Sequence, residues 1–217
     1  MTTRIIIARH GNNFTKEQTP LRVGARTDLP LVETERGTNI GKYLKMRTLI
    51  PAVVFAAPLK RTTETARLAI AALDKDIRLV TDSRFTEIDY GPDEGKPETE
   101  VVARVGQEAM DAWEREAIVP AGWNVSVDAI IKAWKDFAAE VERDYKDKTV
   151  MVVSSNGIIR FAPHLTGNFK KFSEEFDIKV GTGGVCILEK EDGDAYWTVK
   201  EWGIKPKDKL TDAVKSH

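Results

Sequence analysis

Short runs of consecutive apolar residues alternate along the chain with stretches whose apolar positions recur every three to four residues. Thr3 to Ala8, Ala52 to Ala57 and Thr149 to Val153 are apolar throughout, as expected of strands buried on both faces. Thr34 to Met46 has helical periodicity, and so does Thr63 to Leu73, with Leu68, Ala69, Ala72 and Leu73 on one face. Ile77 to Val80 fits a short third strand. Val185 to Leu188 and Trp197 to Trp202, separated by the turn sequence EDGD, fit two closing strands. From about Gly91 to Asp147 the pattern becomes helical with long charged faces, broken at Trp113, Gly122, Trp123 and Trp134, and this predicts a helical cap insertion. The polar tail from Lys205 to His217 is expected to fray. Alternating strands and helices imply a three-layer α/β/α fold with a mostly parallel sheet, in one domain spanning 1–217.

Composition removes several classes of function. Lys plus Arg number 33 against 34 for Asp plus Glu, a formal charge of -1, so nothing calls for nucleic acid or an acidic membrane as partner. The single Cys186 lies in the apolar run GVCIL and reads as a core residue in a reducing compartment. The opening MTTRIIIARH has too short an apolar run for a signal sequence, and no later run is long enough to span a bilayer, so a cytoplasmic location is expected. A small ligand suits such a chain.

Open α/β sheets bind ligands just past the carboxyl ends of their strands, and each predicted strand here delivers polar groups to that rim. Arg9-His10-Gly11-Asn12 follows the first, PLKRTTETA (58–66) the second, and EIDYGPDEG (87–95) the third. Two arginines meeting a histidine make a clamp for an oxyanion, because guanidinium forks match phosphate oxygens and stay charged. The fourth strand ends in MVVSSNGIIR (151–160), where serine and asparagine fill a turn of active-site type.

RHG, PLKRTTETA and EIDYGPDEG in this order, with VGARTDLPLVETERG (23–37) between the first two, resemble the histidine phosphatase superfamily, also called phosphoglycerate mutase-like. The resemblance implies that His10 is a nucleophile forming a phosphohistidine, that Arg9 and Arg61 hold the phosphoryl group, and that Glu87 donates the proton to the leaving oxygen. No metal and no cofactor is implied. It also implies a departure: the second histidine of the family, in a pattern like VSHGG, aligns with Ser155, and Asn156 stands where glycine is usual. His164 is nine residues further, about 13 Å along a helix, too far to replace it. Ser155 and Asn156 read either as a helix cap or as a neutral phosphate cradle at a helix amino end. Asn12, Arg22, Arg26 and, in the predicted cap, Trp123 are further candidate substrate contacts. The implied activity is hydrolysis of a small phosphorylated metabolite; a phospho-ligand binding protein without turnover and a mutase-type phosphotransferase are the alternatives. Neither the substrate nor the oligomeric state follows from the pattern.

Overall fold

The protein is described by a computed structural model covering residues 1–215. In chain order its elements are β1 (Thr2–Arg9), α1 (Glu35–Met46), β2 (Val53–Ala56), α2 (Lys60–Leu73), β3 (Leu79–Thr81), α3 (Glu98–Val105), α4 (Gln107–Glu116), α5 (Val127–Asp144), β4 (Thr149–Ser154), α6 (Asn156–Ile159), α7 (Phe169–Glu175), β5 (Val185–Glu191), β6 (Thr198–Ile204) and α8 (Pro206–Lys215). The strands form one six-stranded sheet in the order β3-β2-β4-β1-β5-β6. β3, β2, β4 and β1 pair in parallel, and β5 and β6 add antiparallel neighbours at one side. The expected mostly parallel α/β sheet is therefore present.

Alternation along the central strands builds two cores. Ile5 and Ile7 of β1, Phe55 of β2 and Val150 and Val152 of β4 face one side, where they meet Trp134, Phe137 and Val141 of α5. Ile6, Ala8, Val54, Met151 and Val153 face the other, against Ile40, Tyr43 and Leu44 of α1 and Ala66, Ala69 and Leu73 of α2. Helices α1 and α2 approach so closely that a Cβ at Gly41 would lie 2.2 Å from the Ala69 carbonyl oxygen. Glycine there has a packing reason.

Two sequence expectations change. The segment after Lys205 does not fray: Pro206–Lys215 is helical, α8 packs on α1, and Lys207 pairs with Glu35 at 3.0 Å. Proline at the first helical position starts that helix well, a signal that overall polarity hid. Ser216 and His217 lie outside the described residues. Helix α5, counted with the insertion in the sequence, instead covers the sheet, and Val101 of α3 and Met110 and Trp113 of α4 join the same core. Their aromatic anchor is a chain of ring contacts from Tyr90 through Trp123 and Trp113 to Phe161, with centroids 4.7, 5.1 and 6.1 Å apart. Among the described residues no helix is long and apolar enough to cross a membrane. Cys186 is buried on β5 and its thiol is pushed up to about 12 by that burial, which fits a core residue.

Candidate active site

The carboxyl ends of β1, β2 and β4 and the segment after β3 all open on one rim, as the topology requires. A cavity of about 610 Å³ lies there, and Arg9, His10, Asn12, Arg22, Glu87 and Asn156 are on its wall. Six candidates drawn from four separate segments of sequence thus meet at one place. The other four sit differently. Arg61 and Ser155 are fully buried behind this wall, Trp123 is packed under it, and Arg26 is at the exposed surface.

His10 follows directly on β1, its backbone N–H donating to the Ser154 carbonyl of β4 at 3.1 Å. Its Nδ1 lies 2.7 Å from the Gly11 carbonyl oxygen. A carbonyl only accepts, so Nδ1 carries the proton and Nε2 keeps its lone pair. Burial first, then the charges of Arg9 and Arg61, hold the imidazole pKa well below its ordinary value. A neutral ring with a bare Nε2 is the form a nucleophilic histidine requires.

Each arginine is oriented by backbone. Arg9 donates through Nη1 to the Val180 carbonyl at 2.5 Å, and Arg61, in the first turn of α2, donates to the Thr27 and Gly24 carbonyls at 2.8 and 3.2 Å. The Nε–H of both guanidiniums is buried with no partner in the protein. Helix α2 begins at Lys60, three residues earlier than its apolar periodicity suggested, and this is what puts Arg61 at a strand-end helix start rather than in a loop.

Glu87 reaches the site from the turn after β3. Its Oε1 accepts from the Ile88 N–H at 2.9 Å, and its Oε2 from the Gly157 N–H at 3.3 Å and the Tyr90 hydroxyl at 3.4 Å. The approach to Gly157 is tight, since a Cβ there would lie 2.3 Å from Oε1.

The serine-asparagine turn is not a side-chain cap. Ser155 stands at the N-cap of α6 but makes no capping hydrogen bond, and its buried Oγ has no partner. Asn156 turns its Oδ1 to the Val180 N–H at 2.9 Å. Asn156 and Arg9 therefore grip the two ends of one peptide residue, Val180. Asn12 accepts from the Thr182 hydroxyl at 2.6 Å in the same loop.

Arg22 lies over the rings of Tyr90 and Trp123, 5.1 and 5.0 Å from their centroids, and is paired with Glu98 of α3. Trp123 donates its indole N–H to Asp93 at 2.7 Å and so acts as a plug under the rim. Arg26 is held by Asp89 and by the Gly91 carbonyl, at 3.1 and 2.6 Å, away from the cavity wall. His164 stacks on Phe169 at 4.3 Å between ring centroids and is not on the wall either.

Sequence reading missed Arg160, which is 1% exposed and is on the cavity wall. It lies flat over Trp113 at 3.7 Å and donates to the Trp113 carbonyl at 2.5 Å and the Asn156 carbonyl at 3.3 Å. The available signal was its spacing of four from Asn156, which places both on one helix face. Glu98, Glu114, Lys179 and Thr182 are also on the wall. They come from α3, α4 and an irregular loop, and no local pattern ties them to the RHG segment.

The arrangement defines a class: an α/β protein with a neutral, arginine-flanked histidine and a carboxylate on the wall of one strand-end cavity. The chain belongs to the histidine phosphatase superfamily (branch 1), whose family model matches residues 5–205. A 2,3-bisphosphoglycerate-dependent phosphoglycerate mutase of Bifidobacterium longum is 32% identical over 124 residues, 55% of this chain and 49% of that protein. The chain thus matches about half the length of such curated relatives. Among solved structures, phosphoglycerate mutase from Bacillus anthracis superposes with a TM-score of 0.76 at 22% identity, covering 95% of this chain and 97% of the other. A mycobacterial glucosyl-3-phosphoglycerate phosphatase superposes with a TM-score of 0.73 at 19% identity, covering 94% and 99%. At these identities the superpositions speak for the fold.

Proposed function

We propose that the protein is a phosphomonoester hydrolase that works through a phosphohistidine on a small phosphorylated metabolite. The observation that carries this reading is the state of His10: a neutral imidazole, proton on Nδ1, between two arginines that keep unused donors. Nε2 attacks phosphorus as the P–O bond to the leaving group breaks. The charge spread over the phosphoryl oxygens falls to Arg9 and Arg61, whose guanidiniums are fixed by backbone carbonyls before substrate arrives. Glu87 gives its proton to the leaving oxygen, then takes one from the water that attacks the phosphohistidine, which restores both groups. The helix amino end at Asn156 and the Ser155 hydroxyl add neutral donors where the family resemblance leads one to expect a second histidine.

The test is phosphate release from a panel of phosphomonoesters, with the phosphoenzyme trapped by acid-free quench. Wild type releases phosphate and carries an acid-labile phosphoryl group; His10→Ala does neither while its circular dichroism is unchanged. Equal release by both proteins removes His10 from the mechanism. Tight phosphate binding without release by wild type identifies a binding protein instead.

A further inference from the structure

The charges on the cavity wall are not distributed as a uniformly cationic site would have them. Several cations on the wall face carboxylates of α3 and α4. Glu98 pairs with Arg22. Glu114 lies 3.1 Å from the Lys179 ammonium and 4.0 Å from the Arg160 guanidinium. Lys16 stands exposed at the rim, where water and salt screen it. At the His10 end the balance is different. Arg9 and, behind it, Arg61 are held by backbone carbonyls, and neither has a carboxylate in ion-pair range among the described residues. The cavity has one cationic pole without paired carboxylates and a remainder in which Arg22 and Lys179 are already paired.

That remainder is large. About 610 Å³ is of the size that holds a whole small-molecule ligand, so most of the volume belongs to the leaving group. A leaving group with its own carboxylate or phosphate would meet Glu114 and Glu98 and would have to displace them from their cations. Hydroxyl groups, in contrast, donate to those carboxylates and accept from Lys179 without breaking a pair.

Building on the hydrolase reading, we propose that the substrate is the phosphomonoester of an uncharged, hydroxyl-rich alcohol, and that Glu114 is the residue that excludes leaving groups carrying a second negative charge. This separates the substrate class from that of phosphorylated acids. It also gives Glu114 a role in choosing the substrate rather than in the chemistry at His10.

Two matched pairs of probes test it. Glycerol 3-phosphate and 3-phosphoglycerate differ by a hydroxymethyl against a carboxylate, and so do glucitol 6-phosphate and 6-phosphogluconate. Wild type is expected to favour the neutral member of each pair at least tenfold in kcat/KM. Glu114→Gln should reduce that ratio about tenfold or invert it. Lys179→Gln, a change at a half-exposed side chain that leaves Glu114 only the more distant Arg160, should widen it. A preference for the acids by wild type, or a ratio that Glu114→Gln leaves within twofold, overturns the proposal. The same ratios are measured as calorimetric dissociation constants on His10→Ala. If wild type turns over no probe, the hydrolase reading fails by itself while the binding ratio still decides the charge preference; binding of neither member overturns that too.

Discussion

Gly157→Ala puts one methyl group against the carboxylate proposed as the proton donor. The new Cβ would lie 2.3 Å from Glu87 Oε1, 2.9 Å from an Ile88 side-chain carbon and 3.1 Å from the Glu87 Cδ. An ordinary contact is about 3.5 Å, so the carboxylate has to retreat by about 1 Å. Retreat stretches the Gly157 N–H to Oε2 bond, now 3.3 Å, and pulls on the Ile88 N–H and Tyr90 hydroxyl bonds that share the same carboxylate. A misplacement of about 1 Å in a catalytic group costs on the order of a hundredfold in rate. Crowding a packed interior by one methyl costs about 1–3 kcal/mol of stability. The loss should depend on the leaving group. An alkyl phosphate such as glycerol 3-phosphate needs the proton from Glu87, whereas 4-nitrophenyl phosphate departs well without it. We expect kcat on the alkyl ester to fall about a hundredfold, and kcat on the nitrophenyl ester to fall much less, in a protein whose thermal unfolding remains cooperative. Steady-state kinetics on the two esters, with a melting curve, are sufficient. Alkyl ester turnover within threefold of wild type, or equal loss on both esters, refutes the assignment of Glu87 and the reason given for Gly157.

The lowered pKa of His10 sets the acid side of the pH profile: kcat/KM should hold as pH falls from 7.5 through 6, where an ordinary histidine would protonate, and Arg9→Met should shift the acid limb upward only in part, because burial and Arg61 still hold the imidazole down. Because the unfolded chain takes up that proton near pH 6.5 and the folded chain only well below it, His10 costs stability progressively as pH falls below about 6.5, and the melting temperature of His10→Ala should be less sensitive to acid than that of wild type. Ser155→His, which supplies the second imidazole implied by the family resemblance, should raise kcat by about ten- to a thousandfold and increase inhibition by inorganic phosphate; loss of both turnover and phosphate affinity would show a pocket fitted around serine. The companion change Asn156→Gly is expected to work against it, since it removes the partner of the Val180 N–H at 2.9 Å and loosens the peptide that orients Arg9. Competition kinetics on the single and double variants separate the two effects.

The parallel sheet, the strand-end position of the site and most of its chemistry could be read along the chain because each rests on local order. Apolar runs such as Thr3 to Ala8 mark doubly buried strands whatever surrounds them. RHG and PLKRTTETA each follow a strand directly and EIDYGPDEG comes one turn after the third, so the rule that strand ends meet at one rim was enough to bring Arg9, His10 and Glu87 together. Tertiary structure decided what depends on partners distant in sequence. Helix α8 is stable because α1 offers it a surface, and α5 joins the sheet layers because Phe55 and Ile7 meet its apolar stripe. The proton on Nδ1 of His10 depends on how Gly11 turns its carbonyl, and the pairing of Asn156 with Val180 spans 24 residues through an irregular loop. Arg160 stood in plain view beside the serine-asparagine turn, but a buried guanidinium looks like a surface one until Trp113 of α4 is placed beneath it at 3.7 Å. The charge balance of the cavity is of the same kind. Sequence counts charges, whereas pairing is a matter of distance, and only the fold sets Glu114 between Lys179 and Arg160 while leaving Arg9 and Arg61 held by backbone carbonyls.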